Sequence, residues 1–164
     1  MNIMIGNDHG GYYLKKSVVE LLQSLEINVI DIGCDSDAIV RYPYYAARVS
    51  QAVSSGEVDR GILICSTGIG MSVAANRHRG VRASLCTDSY MAKMTRAHND
   101  SNLLCLGGRI TGDMLAMEIV RVWLETPYEG GRHDISLGLI QEMEKTITTE
   151  SVWKWTPVEG EITP

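Results

Sequence analysis

Nothing in the 164 residues approaches the run of about 18 apolar residues that a bilayer-spanning helix requires. The opening MNIMIGND reads as a short strand followed by polar residues, so neither a signal peptide nor an anchor is expected. Paired cysteine spacing is missing as well. Cys34, Cys65, Cys86 and Cys105 stand far apart with no C-x-x-C, and three of them follow or lie within apolar runs. That pattern fits reduced thiols in a cytoplasmic protein better than disulfides or a zinc site. Basic charge is not in excess: 15 Lys and Arg face 20 Asp and Glu, a net charge of -5, which argues against nucleic acid as a partner. A mildly acidic chain that binds an anion must cluster its few cations, so neighbouring Arg and His residues carry the information.

What is present is an ordinary globular composition, 45% hydrophobic and 21% charged, at a length that suits one domain with a real core. Apolar runs at 2–6, 27–32, 61–65, 81–86 and 102–106 read as strands. Helical spacing covers 11–26, 43–54, 69–77, 88–97, 112–124 and, after the polar turn YEGGRHD, 135–145. Pro43 suits a first helical turn, and Gly56, Gly80 and Gly107 fall between elements. Strict alternation of strand and helix predicts an α/β protein whose parallel sheet is covered on both faces. One domain over 1–145 is expected, with 146–164 as a C-terminal extension that shows no clear period. Its Trp153 and Trp155 are expected to pack against something, since two exposed indoles are unusual.

In such a sheet, ligands collect where strands end and helices begin. The first strand delivers Asn7-Asp8-His9-Gly10-Gly11, the third Cys65-Ser66-Thr67-Gly68-Ile69-Gly70, and the fifth Gly107-Gly108-Arg109. Small residues after Cys65 would let successive backbone N–H groups converge on an anion, and a thiol there could be partly ionised and take a proton from carbon. A buried structural cysteine accounts for the position equally well. The segment is a poor nucleotide loop, lacking the third glycine of G-x-G-x-x-G and any G-K-[ST] ending. Asp8-His9 taken alone could merely cap a helix. His98-Asn99-Asp100 closes the fourth predicted helix, and Arg109 and Arg132-His133 complete the cationic groups near loops. Guanidinium groups would suit a phosphate, although each arginine alone is more ordinarily a solvated surface residue. No His or Cys spacing suggests a metal, and no cofactor is expected.

The motifs together resemble the ribose-5-phosphate isomerase type B and galactose-6-phosphate isomerase family over residues 1–145. They are Gly6-Asn7-Asp8-His9-Gly10-Gly11, Tyr42-Pro43, Gly61 through Gly70, Ala74-Ala75-Asn76, His98-Asn99-Asp100-Ser101-Asn102, Gly107-Gly108-Arg109 and Tyr128-Glu129-Gly130-Gly131-Arg132-His133. The resemblance implies a three-layer α/β/α Rossmann-like sandwich with a five-stranded parallel sheet, forming a homodimer or homotetramer with active sites between subunits. It implies a small sugar phosphate as substrate, Cys65 as the base that moves a proton between C2 and C1 through an enediolate, and Thr67 with His98 as the ring-opening pair. Backbone groups of Ser66, Gly68, Ile69 and Gly70 would form the anion hole. Asp8 and Asn99 would contact hydroxyls, Tyr42 would line the sugar, and His9, Arg109 and Arg132 would hold phosphate. Where one branch of the family carries a glutamate base, this chain has Met71, which leaves Cys65 as the segment's candidate.

Three positions depart from the family pattern. Ser66 replaces a usual glycine, Arg41 a common aspartate, and Ser136 a second arginine common in the ribose-phosphate enzymes. Ribose 5-phosphate is the first expectation, with a tetrose phosphate or a hexose 6-phosphate such as allose or galactose 6-phosphate next. A non-catalytic sugar-phosphate-binding subunit is the remaining alternative.

Overall fold

A computed structural model describes residues 1–147. The chain divides into two compact units, Met1–Gly130 and a second that begins at Gly131. In the first unit β1 (Asn2–Asn7), α1 (Tyr12–Ser24), β2 (Asn28–Asp31), α2 (Tyr42–Ser55), β3 (Arg60–Cys65), α3 (Ile69–Ala75), β4 (Ala83–Leu85), α4 (Ser89–Asn99), β5 (Leu103–Gly107) and α5 (Asp113–Glu125) follow in order. The strands form one parallel sheet in the order β2-β1-β3-β5-β4. This is the three-layer Rossmann-like α/β/α sandwich. Element positions agree with the periodicity to within a few residues at each end.

Side chains alternate across the sheet with the period of a strand. Ile62, Ile64, Leu104 and Leu106 pack with Val18 and Leu22 of α1 and with Ile119 and Trp123 of α5. Leu63, Cys65, Leu103 and Cys105 face the other way, against Ala46 and Val49 of α2 and Met71 of α3. Because α1 and α2 cover opposite faces, the chain leaves β1 for one side of the sheet and returns through β3 on the other. The strand order therefore reverses between β1 and β3, and their following loops part to leave a crevice, the usual ligand position in a doubly wound sheet.

The second unit corrects one boundary. Helix α6 runs from Arg132 to Ile147 instead of starting at 135. Gly130 and Gly131 take left-handed backbone, with φ of 64° and 61°, and so complete the turn in two residues. Arg132 and His133 thus belong to the helix's first turn, where Asp134 suits the exposed N–H groups. Trp153 and Trp155 lie outside the described residues. No helix among the described residues is long and apolar enough to cross a membrane.

Trp123 is the largest fully buried side chain of the core, and its indole N–H donates to Ser101 Oγ at 3.0 Å. Trp123→Ala is expected to lower unfolding free energy by about 3–5 kcal/mol, since the surrounding core refills such a space only in part. Urea denaturation measures it; a loss below about 1 kcal/mol would contradict this packing.

Candidate active site

The loops after β1, β3 and β5 meet at the carboxyl edge of the sheet, and the absence of side chains makes the meeting possible. A Cβ on Gly10 would run into Ser66, 2.7 Å from its backbone nitrogen; one on Gly11 would lie 2.5 Å from the Ile64 carbonyl oxygen; one on Gly108 would lie 2.5 Å from the Gly10 carbonyl oxygen. Backbone hydrogen bonds tie the same segments. Asp8 N–H donates to Ile64 O at 3.1 Å, Gly108 N–H to Cys65 O at 2.7 Å, and Arg109 N–H to Ser66 O at 3.0 Å.

Cys65 ends β3 with 5% of its surface exposed, and the N–H of Gly68 donates to its Sγ at 3.1 Å. Gly68 can aim that N–H because it adopts a φ of 77°, a region open to glycine without penalty. Thr67 Oγ1 accepts the Ile69 N–H at 3.4 Å. Tyr42, at the start of α2, lays its ring where a side chain on Gly70 would stand, with Cζ 2.9 Å from that position. Cys34, Cys86 and Cys105 are buried as well. Burial pushes Cys86 up to about 12, pushes Cys105 well above the ordinary thiol value and raises Cys34, because a low-dielectric surround disfavours the thiolate. Met71 is fully buried beneath the loop.

Asp8, His9, Ile39, Arg41, Tyr42 and Tyr44 help to line a cavity of about 450 Å³, a size suited to a small ligand. Asp8 is fixed twice. Its Oδ1 accepts the Gly10 N–H at 2.8 Å, and its carbonyl accepts the Asn7 side-chain amide at 2.8 Å. His9 Nδ1 accepts the Val40 N–H at 3.3 Å, which places the ring proton of neutral His9 on Nε2. Sequence reasoning placed Asn7 at the strand end without giving it a role, and missed Ile39 and Val40. Asn7 had a legible signal, a buried amide at a strand end beside an aspartate. The 33–41 segment had none, since its irregular backbone shows no period.

The remaining residues are elsewhere. Helix α4 leaves the carboxyl edge and returns the chain to the start of β5, so His98 and Asn99 lie at the amino edge. There Asn102 O accepts the Gly61 N–H at the beginning of β3, at 2.9 Å, and Arg82, just before β4, donates to Asn99 O at 3.0 Å. His98 Nε2 stands 3.7 Å from a carboxylate oxygen of Glu129. A six-residue strand such as β3 separates the two edges by about 17 Å at 3.3 Å per residue. A single copy of the chain does not bring His98 to Thr67. Arg132 opens α6 in the second unit, with Ser136 one turn further along the same helix face.

A doubly wound sheet with an Asp-His cavity and a cysteine loop at its carboxyl edge is the setting in which Rossmann-like proteins bind small molecules. A sequence model described as Ribose/Galactose Isomerase matches residues 3–140, and the chain belongs to that family. It is an isomerase of the type B kind. Ribose-5-phosphate isomerase B of Escherichia coli (strain K12) is 46% identical over 143 residues, 87% of this chain and 96% of that protein. The solved structure of Clostridium thermocellum ribose-5-phosphate isomerase B is 50% identical, covers 90% of this chain and 99% of its own, and superposes with a TM-score of 0.88. A structure of the Mycoplasma genitalium isomerase B with bound ribulose-5-phosphate is 40% identical, covering 88% of this chain and 96% of its own, with a TM-score of 0.85.

Gly10→Ala is expected to lower sugar-phosphate isomerase turnover by about 10²-fold, because parting the β1 and β3 loops misplaces reacting groups. Steady-state kinetics beside a thermal melt measure it; unchanged turnover in a folded variant would contradict the close approach.

Proposed function

We propose that this chain interconverts ribose 5-phosphate and ribulose 5-phosphate without a metal, with Cys65 as the base. The Cys65 thiolate takes the C2 proton of the open aldose. The electron pair moves into the C1–C2 bond and the carbonyl oxygen becomes an enediolate oxyanion. Backbone N–H groups between Ser66 and Gly70 donate to that oxyanion as fixed dipoles. Transfer of the hydroxyl proton between the two oxygens and return of the carbon-bound proton from sulfur to C1 leave the carbonyl at C2. Thr67 and His98 open the furanose by protonating the ring oxygen and taking the anomeric hydroxyl proton. Asp8 and Asn99 hold hydroxyls, Tyr42 lines the sugar, and His9, Arg109 and Arg132 hold the phosphate.

The observation that carries this reading is the Gly68 N–H already directed at Cys65 Sγ, on the one cysteine at the switch point. The names of the relatives, and the bound ribulose-5-phosphate of the Mycoplasma genitalium enzyme, support the substrate. With His98 and Asn99 at the amino edge, the working site draws them from a second copy of the chain, in a homodimer or homotetramer acting in the cytoplasm. A second substrate reading has its own support. Ser66 adds a hydroxyl against Gly10, and Ser136 stands where the family's ribose-phosphate enzymes carry a phosphate arginine, so a tetrose phosphate or hexose 6-phosphate is the alternative substrate class.

Cys65→Ala is expected to cut isomerisation by about 10³-fold or more while the melting temperature and assembly hold, and added chelator is expected to change nothing. Aldose-to-ketose assays on four-, five- and six-carbon phosphates measure both points. Chelator-sensitive turnover would contradict the metal-free route, and ligand binding without solvent-proton exchange at C2 would leave a binding subunit instead.

A further inference from the structure

The end of α4 is held by far more charge than a helix terminus needs. After His98 and Asn99 the chain passes through Asp100, which adopts left-handed backbone with φ 44° and ψ 46°. Glycine commonly fills that place because it enters the region without steric cost. Asp100 instead brings a carboxylate that two guanidinium groups share. Arg82 Nη2 donates to its Oδ2 at 2.9 Å and Arg96 Nη1 to its Oδ1 at 2.8 Å. Arg82 goes further: its Nε lies 3.0 Å from both the Asn99 and the Asp100 carbonyl oxygens, and its backbone N–H donates to Asn102 Oδ1 at 2.8 Å. Arg96 Nη1 also reaches the Ser101 carbonyl. The side chains of Arg82, Arg96 and Asp100 keep only 26%, 7% and 36% of their surface in water.

Burying Arg96 and half-burying its two partners carries a desolvation cost that a simple cap does not incur. What the arrangement provides is a fixed backbone immediately after His98 and around the Asn99 carbonyl. Left-handed backbone in a residue other than glycine persists where its surroundings over-determine it. Here the over-determined stretch abuts the two residues that one chain would present to the carboxyl-edge loops of another.

We infer that Arg82, acting through Asp100, is a positioning residue that sets His98 for ring opening of the cyclic aldose. The inference rests on the reading of His98 as a ring-opening group. Ring opening is required when the substrate is a furanose aldose phosphate. It is not required for the open-chain ketose, whose C5 oxygen carries the phosphate and cannot close a five-membered ring. The clamp should therefore matter in one assay and much less in the other.

The test compares Arg82→Met and Asp100→Gly, the latter keeping the left-handed backbone without the carboxylate, with the unaltered chain. One assay follows conversion of ribose 5-phosphate; the other follows wash-in of solvent deuterium at C1 of ribulose 5-phosphate. The expected result is a fall in kcat for the aldose of about tenfold or more, with deuterium wash-in reduced less than about threefold and the melting temperature and assembly retained. Asp100→Asn, which keeps one acceptor oxygen, is expected to recover part of the aldose rate. An equal fall in both assays, or no fall in either, would overturn the inference. His98→Ala run alongside separates the two ideas. Its own aldose-selective loss with no such loss in the clamp variants rejects the positioning role alone, whereas no selective loss in His98→Ala rejects the ring-opening reading and the inference with it.

Discussion

Three loops of this protein share a space too small for side chains. Gly10, Gly11 and Gly108 bring the backbones that follow β1, β3 and β5 into direct contact, and the hydrogen bonds from Asp8, Gly108 and Arg109 onto β3 and its loop lock them there. Everything chemical at the carboxyl edge follows from that contact. It fixes Cys65 at the end of a rigid strand, leaves Gly68 to turn its N–H onto the sulfur, and seats Asp8 and His9 on one wall of a cavity whose other wall is the 39–44 segment.

The same sheet that gathers Asp8, His9 and Cys65 at its carboxyl edge places His98 and Asn99 at the opposite one. Parallel strands joined by crossover helices send every α-helix from the carboxyl edge back to the amino edge. A residue at the end of α4 consequently lies at the opposite edge of the sheet from a residue at the end of β3. His98 and Asn99 stand at the amino edge, where Arg82 holds the Asn99 carbonyl and Glu129 lies beside His98, across the sheet from the cysteine loop. On the proposed reading, with Cys65 as base and His98 as a ring-opening group, this division has a use: the two need approach the sugar only when two copies meet around it.

Much of this was legible in the sequence because the physics is local. Strand and helix periods, the Pro43 turn and the glycines at 56, 80 and 107 located every strand and α-helix of the first unit, and the Gly130-Gly131 pair misled on where α6 starts. Cys65, Asp8 and His9 drew attention because strand ends are where ligands gather, whereas Tyr42 entered only through the family resemblance. What stayed hidden depends on approach in three dimensions. The 33–41 segment has no period, so neither the Val40 N–H on His9 nor the Ile39 wall could be foreseen. Arg82, sixteen residues before His98 in sequence, gives no sign that it holds the Asn99 carbonyl. The separation of His98 from Thr67 follows from handedness and strand length rather than from any motif.

The most direct test of the account is subunit complementation. Cys65→Ala and His98→Ala chains are each deficient in converting ribose 5-phosphate on the expected reading; mixed in equal amounts and allowed to re-pair, they would rebuild one complete site in each mixed dimer, about a quarter of all sites under random pairing in a two-fold assembly. Recovery of activity near that level is the predicted result. Mixed dimers that form and remain inactive would contradict it.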